Sequence, residues 1–386
     1  MATLYLHIGT PKTGTSAIQE FLYSNREILE KQGFCYPDFG YRYPQVHMRR
    51  NAHFLVHHQA CGPKKEAKTR KAEDERFYEG LDKIKELSST FPNIVLSDEN
   101  IWNGYITREN FWKVLSDALS KRGIGLKVIV YLRSQDLVIE SYYSQRVKVK
   151  IQMTFQEYLD SEDIDYFQLD YYTQLKEIEQ AIGKENTIVR VYEKQQYEGN
   201  GNTLISDFLN VMGLELDEKY ISPDRVVNTS LYGKSLELKR ILNGIDSFRT
   251  RRKHWLVSYL KIVQEEDEEK NGAPATKFFT YEKRMDFLAK YKEGNEAIAR
   301  EFLNREDGVL FKDEIVKDYD VVGNYSTEEL VLMCGRLLQL QNEDMENRIE
   351  ALKTELDKAK RALAYEQRPL YKKAVSKMRH VFSKQK

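Results

Sequence analysis

At 386 residues the chain is longer than one average domain and shorter than three, and its hydrophobic content of 41% is enough for a sizeable core. Its 60 basic and 60 acidic residues cancel, so no global field favours nucleic acid and any electrostatic function is local. Three cysteines (Cys35, Cys61, Cys334) form no CxxC pair and argue against a disulfide framework. No apolar run reaches the roughly 18 residues of a membrane span.

The start MATLYLHIG carries no charged n-region or signal-type apolar segment, which leads us to expect a soluble, cytoplasmic protein. Leu4-Tyr5-Leu6-His7-Ile8 reads as a strand that turns at Gly9-Thr10-Pro11. Behind the turn, Ile18, Phe21, Leu22, Ile28 and Leu29 recur at helical spacing. A crowd of metal-type side chains follows, His47, His53, His57, His58 and Cys61. His53 and His57 would share a helical face, but no third ligand is compelling and no metal is expected.

Further strands read Asn93-Ile94-Val95-Leu96-Ser97, then Leu126 to Leu132, then Thr187 to Tyr192. A helix from Thr203 to Met212 ends at Gly213. Near-continuous apolar strands alternating with helices predict an α/β fold, a parallel sheet flanked by helices. In such sheets ligands bind at the carboxyl ends of the strands.

From about 230 to 325 the pattern is helical and charged, broken by EEDEEKNGAP at 265–274, which reads as an exposed acidic loop. Met345, Ile349, Leu352, Leu356, Ala359 and Leu363 step as heptad a and d positions. The expected organisation is a domain over 1–325 and a C-terminal helical, coiled-coil extension over 326–386. Residues 326–366 are a candidate for homo-oligomer formation. The basic tail KKAVSKMRHVFSKQK is a candidate for peripheral contact with the inner membrane face or with a polyanion, although a solvated terminus is the plainer reading.

The stretch HIGTPKTGTSAIQEFL carries the chemistry. Gly9 and Gly14 sit where the glycines of GxxxxGK[ST] belong, yet Thr15 takes the lysine's place and the lysine lies earlier, at Lys12. A glycine turn feeding a helix offers backbone N–H groups and a positive dipole end to an anion. Thr13, Thr15 and Ser16 add hydroxyl donors. Lys12, on the leading edge of the turn, is aimed at the bond between a 5′-phosphate and its leaving substituent rather than at outer phosphates.

PKTGTS resembles the 5′-phosphosulfate loop, PK[ST]GT[TS], of sulfotransferases that use 3′-phosphoadenosine 5′-phosphosulfate (PAPS). A second element of that family is an arginine after a later strand with a serine about eight residues on. Arg133, ending Val130-Tyr131-Leu132-Arg133, and Ser141 match it. Arg133 has a plainer alternative as the ion-pair partner of Asp136 or Asp98. LSDENIW at 96–102, the late strand and helix ending at Leu214, NTSLYGKSLELKRILN at 228–243 and REFLNREDGVLF are similar to segments of bacterial carbohydrate-type sulfotransferases. The resemblance covers about residues 3–312.

The resemblance implies PAPS as co-substrate, PAP (the desulfated 3′,5′-bisphosphate) as product, and no metal requirement. It implies sulfuryl transfer to a hydroxyl or amine of a carbohydrate or glycolipid acceptor. Lys12 would stabilise the leaving phosphate, with Thr13, Gly14, Thr15 and Ser16 around the 5′-phosphate. Arg133 and Ser141 would grip the 3′-phosphate, and Arg225, with Asn228 and Ser230, would lie in a loop closing over the nucleotide. For the general base two residues stay open, His53 and Glu99. Trp102, Tyr105, Tyr142 and Tyr143 are candidates to stack a sugar. Arg190 and Tyr192 are candidates to line the pocket, although a strand arginine often just pairs with a carboxylate. Two competing readings are a nucleotide kinase or NTPase with a deviant loop, in which Asp98 would hold magnesium, and a non-catalytic glycan-binding scaffold.

Overall fold

The computed structural model describes residues 1–60, 65–102, 110–161, 168–221, 231–245, 254–272, 276–317, 319–322 and 325–366. The fold is α/β. Five strands form one parallel sheet: β1 Ala2–Gly9, β2 Phe34–Cys35, β3 Asn93–Ser97, β4 Ile124–Leu132 and β5 Thr187–Val191. Their order is β2-β3-β1-β4-β5. The central strand β1 sets Leu6 between Leu96 of β3 and Val128 of β4.

Leu4, Leu6 and Ile8 are fully buried, as are Ile94, Val95, Leu96, Val128, Ile129 and Val130. Such burial on both faces explains why these strands read as unbroken apolar runs rather than alternating ones. On one face, Ile18, Phe21 and Leu22 of helix Thr15–Ser24 join Phe208 and Leu209 of helix Leu204–Val211 against Tyr5, Val95, Ile129 and Tyr131. Helices Phe111–Ser120 and Tyr171–Ile182 pack on β4. Each large apolar side chain so enclosed contributes about 1.5–3 kcal/mol.

The chain leaves β1 towards β2 on one side and leaves β4 towards β5 on the other. The crevice at the carboxyl ends of β1 and β4 is therefore a topological switch point, the usual ligand position in such sheets. Local signals set the flanking elements. Thr203 caps helix Leu204–Val211 in a reciprocal capping box with Ser206. Beyond that helix, Gly213 takes φ 73°, a conformation that glycine adopts without steric cost.

Three sequence expectations change. EEDEEKNGAP is not a loop where it is described: helix His254–Asn271 runs through the acidic stretch. Glu and Lys are good helix formers, Arg336 pairs with Glu266 at 2.6 Å, and the helix stops at Gly272 with φ 80°. Trp102 and Tyr143 are buried. Trp102 packs on Tyr171 and Tyr143 on Phe155, Tyr158 and Phe278, so both fill the core rather than offer a face to a sugar. Arg190 is held by Asp207 and by Glu198 at 3.1 Å, a structural pair and not a pocket cation.

The chain divides into two compact units, Met1–Ser230 with Ala275–Val322, and Leu231–Pro274 with Gly323–Lys386. The first holds the sheet and a short parallel pair, β6 Thr276–Lys277 and β7 Asp320–Val321. The second contains helices Gly233–Leu242 and His254–Asn271 and the 40-residue helix Thr327–Glu366. No described helix is long and apolar enough to cross a membrane. The basic tail, Tyr105 and Cys61 lie outside the described residues.

Candidate functional site

β1 ends at Gly9 and the chain turns through Thr10–Gly14 into helix Thr15–Ser24. The turn is pinned to the neighbouring strand, because Thr10 N–H and its hydroxyl both donate to Tyr131 O, at 2.8 and 2.9 Å. The Thr13 hydroxyl closes back on Thr10 O. Gly9, Lys12 and Gly14 all take positive φ, at 83°, 69° and 75°, which wraps the backbone into a concave nest of the kind that binds anions. A side chain on Gly14 would strike Leu204 Cδ2 at 2.3 Å and the Tyr192 ring at 3.1 Å, and one on Gly9 would meet Glu99 Cβ at 2.9 Å. Both glycines are thus required by close approach as well as by φ.

Within the loop, the Thr15 hydroxyl is buried without a hydrogen-bond partner among the described residues. A buried orphan hydroxyl at a helix N-terminus is a donor awaiting an acceptor. Ser16 is exposed. Lys12 is half-buried and donates to Gln145 Oε1 at 3.1 Å. Its ammonium is pushed down to about 8, chiefly by burial, then by Lys148 and Arg133, with Glu99 opposing.

Arg133, directly after β4, donates from Nη1 to Lys12 O at 3.0 Å, so the two elements singled out in the sequence touch. The alternative partners of Arg133 are engaged elsewhere. Asp136 is held by Arg284 at 2.5 Å and by Ser134, and Asp98 by Arg50 and His53. Arg133 also lies 5.7 Å from the Tyr192 ring centroid. Ser141 sits in the second turn of helix Gln135–Val149, half-buried. Arg225, Asn228 and Ser230 lie outside the described residues.

The candidate bases come together beside the loop. Asp98 and Glu99 follow β3, and His53 opens helix His53–Ala60. His53 Nδ1 lies 2.8 Å from Asp98 Oδ2. Arg50 reaches Asp98 from Nη2 at 2.5 Å and from Nε at 3.1 Å, and Glu99 from Nη1 at 3.5 Å. Burial would raise the Asp98 carboxyl, but the His53 hydrogen bond and the Arg50 guanidinium override it and hold Asp98 below the usual carboxylate range. Glu99 moves the other way, raised by burial and by Asp98, with Arg50 and Gln19 opposing.

An ionised Asp98 fixes the His53 proton on Nδ1 and leaves Nε2 as an acceptor, and among the described residues Nε2 has no hydrogen-bond partner. His57 stacks on Tyr43 and His58 on Phe77. Among the described residues no group of three His, Cys, Asp or Glu side chains is placed to hold a metal ion.

A buried network underlies the site. Gln19 Nε2 donates to Ser97 Oγ at 3.2 Å and to Glu99 Oε2 at 3.1 Å, and Ser97 Oγ meets His7 Nδ1 at 2.9 Å. The His7 imidazole is pushed down to about 3 by burial, so it is neutral. Asn51 accepts from Ser97 N at 2.9 Å and donates to Val95 O at 3.1 Å, tying the His53 segment to β3. Sequence reasoning assigned no role to Arg50, Asn51 or Gln19. The available signal was the acidic pair Asp98-Glu99 at a strand end, which demands a nearby cation, and Arg50 lies three residues before His53.

No family model matches the chain, and no solved structure matches it significantly. An Archaeoglobus fulgidus protein described as uncharacterized is 31% identical over 194 residues, which is 50% of this chain and 50% of that protein. The chain thus matches over about half the length of this relative, and the likeness brings no activity with it.

Proposed function

We propose that the protein is a PAPS-dependent sulfotransferase that moves the sulfuryl group to a hydroxyl, or an amine, of a carbohydrate or glycolipid acceptor. The observation that carries the reading is the contact between the Lys12 turn and Arg133, which puts two anion-binding elements side by side at the switch point of the sheet. The nest of positive-φ residues, the orphan Thr15 hydroxyl and the helix N-terminus suit a 5′-phosphate. Arg133 and Ser141 suit a second phosphate, since a guanidinium binds phosphate as a planar fork.

PAPS supplies an activated sulfuryl group whose transfer leaves negative charge on the departing 5′-phosphate. Lys12 is the cation at that edge of the turn, and positioning and electrostatics dominate in-line transfers of this kind. The acceptor proton goes to His53 Nε2, while Asp98, itself held by Arg50, orients the ring through Nδ1. His53 is favoured over Glu99 because Glu99 already accepts from Gln19 and faces Arg50. The kinase reading is disfavoured by Asp98, whose two oxygens are taken by Arg50, His53 and the Asn100 N–H.

The test is direct. Purified protein is expected to bind PAP without magnesium, and to transfer label from PAPS to one member of a glycan panel. His53→Ala should lower kcat by about 10²–10⁴ with PAP affinity retained. Binding of ATP in preference to PAP, or PAPS binding with no transfer to any acceptor, would overturn the proposal.

A further inference from the structure

The helix Thr327–Glu366 packs on helix His254–Asn271 through its first half, where Leu337 and Leu340 are buried and Arg336 grips Glu266. From Asn342 to Ala364 every residue is exposed. That is a helical rod of about 34 Å whose apolar side has no packing partner among the described residues, although most helix stability in proteins comes from packing of such a face. Along it runs an apolar stripe, Leu338, Met345, Ile349, Leu352, Leu356 and Leu363, each between 49% and 62% exposed. In heptad register Leu338, Met345, Leu352 and Ala359 take d, and Asn342, Ile349, Leu356 and Leu363 take a.

The flanking charges choose the occupant and its direction. The e positions are Glu346, Lys353 and Lys360, and the g positions include Arg348 and Glu355. A parallel, in-register pair would set Arg348 against the partner's Lys353, a like-charge contact that cancels the attraction of Glu355 for the partner's Lys360. An antiparallel pair with Ile349 facing the partner's Leu352 sets Arg348 against the partner's Glu355 and Glu346 against the partner's Lys353. The two-fold axis makes each of these attractive contacts twice. A shift by one heptad in either direction opposes like charges, Glu355 with the partner's Glu355 or Arg348 with the partner's Arg348.

The same register layers Met345 on the partner's Leu356 and Leu338 on the partner's Leu363. It also sets the small Ala359 against the partner's Asn342, which leaves room for the amide. We infer that this stripe is the interface of a homodimer, formed with a second copy of this chain as an antiparallel coiled coil in that register. A closed two-fold contact of this type is self-complementary and does not propagate.

Sedimentation velocity on the full chain is expected to show a dimer. Arg348→Glu should weaken it about tenfold, because the two Arg348–Glu355 contacts each lose an attraction and gain a repulsion of a few tenths of a kcal/mol. Adding Glu355→Arg to that variant should restore it. In a parallel dimer Arg348→Glu would instead tighten association by removing the clash with Lys353, and that result overturns the inference. Cross-linking gives a second readout, in a background with Cys61 and Cys334 replaced by serine. A mixture of Met345→Cys and Leu356→Cys chains should form a mixed disulfide dimer on oxidation, and Met345→Cys alone should form none. Efficient self-linking of Met345→Cys, or a monomer at about 100 micromolar, refutes the arrangement. Met345, Arg348, Glu355 and Leu356 are exposed, so the helix is expected to remain folded, as circular dichroism checks.

Discussion

The sharpest test of the proposed nucleotide site is the pH dependence of PAP binding. Lys12 is pushed down to about 8 by burial and by the neighbouring Lys148 and Arg133. Its charged fraction therefore falls from about nine-tenths at pH 7 to about one-tenth at pH 9. PAP phosphates are already ionised across this window, since their second pKa is about 6. A phosphate bound against the ammonium pulls its pKa back up, so only the charged form counts as competent. The sign is then fixed: affinity is full below pH 8 and is lost as pH rises through it, by about tenfold between pH 7 and pH 9. At pH 8 binding should take up about half a proton, read by calorimetry in buffers of different ionisation enthalpy. Lys12→Arg keeps its charge throughout and should give a flat profile with no proton uptake. A flat profile for the wild-type protein, or parallel profiles for the two, would refute the placement of Lys12 at the phosphate.

The Glu99 carboxylate raises the Lys12 pKa, so Glu99→Gln should move the pH profile for PAP to lower pH; an unmoved midpoint would disconnect the two. Gly14→Ala forces a side chain into the left-handed region, at about 1–2 kcal/mol, and against Leu204 and Tyr192, at about 1–3 kcal/mol more. Urea denaturation should report a loss of about 2–5 kcal/mol, Leu204→Ala should return only the packing share, and unchanged stability would show that the turn has another shape. Lys239 is 2% exposed, has Asn243 as its hydrogen-bond partner, and is pushed down to about 8 by burial. With an unfolded value near 10.5, the cost of its charge is full below pH 8 and fades as pH rises to about 10.5, amounting to at most about 3 kcal/mol. Lys239→Met should therefore be more stable than wild type at pH 7, with the gap closing towards pH 10.5.

What could be read from the sequence was what is local. Leu4–Ile8, Asn93–Ser97 and Leu126–Leu132 are buried on both faces, so their apolar runs announce a parallel sheet without reference to partners. The loop was equally legible, since glycine and lysine positions in a strand–turn–helix are read at fixed spacing. β2 was not seen because two residues, Phe34–Cys35, carry no periodicity. The acidic run at 265–271 was misread because charge says nothing of backbone conformation where Glu and Lys suit a helix. His53 and Asp98 were each visible, but their contact spans 45 positions in the chain and depends on β3 lying between β2 and β1. The role of Arg190 stayed open for the same reason, because Asp207 reaches it from another element.

Two adjacent carboxylates with opposite shifts set the division of labour at the site. Asp98 has an arginine fork, an imidazole and a backbone N–H around it and stays ionised. Glu99 has fewer donors and the charge of Asp98 beside it, and is raised. Environments that push a pair apart in this way give two neighbouring carboxylates different roles. Asp98 is then the fixed charge that pins His53, and Glu99 is the adjustable one that faces Lys12. Gln19 joins them to the phosphate turn, because its amide spans Ser97 and Glu99 from the same helix whose N-terminus faces the loop. Any shift of that helix reaches Glu99 and Ser97 directly through Gln19, and reaches His53 only by way of Arg50, Asp98 and Asn51. The proposed phosphate grip and the proposed base are thus linked only indirectly, and substitutions on one side should leave the other measurable.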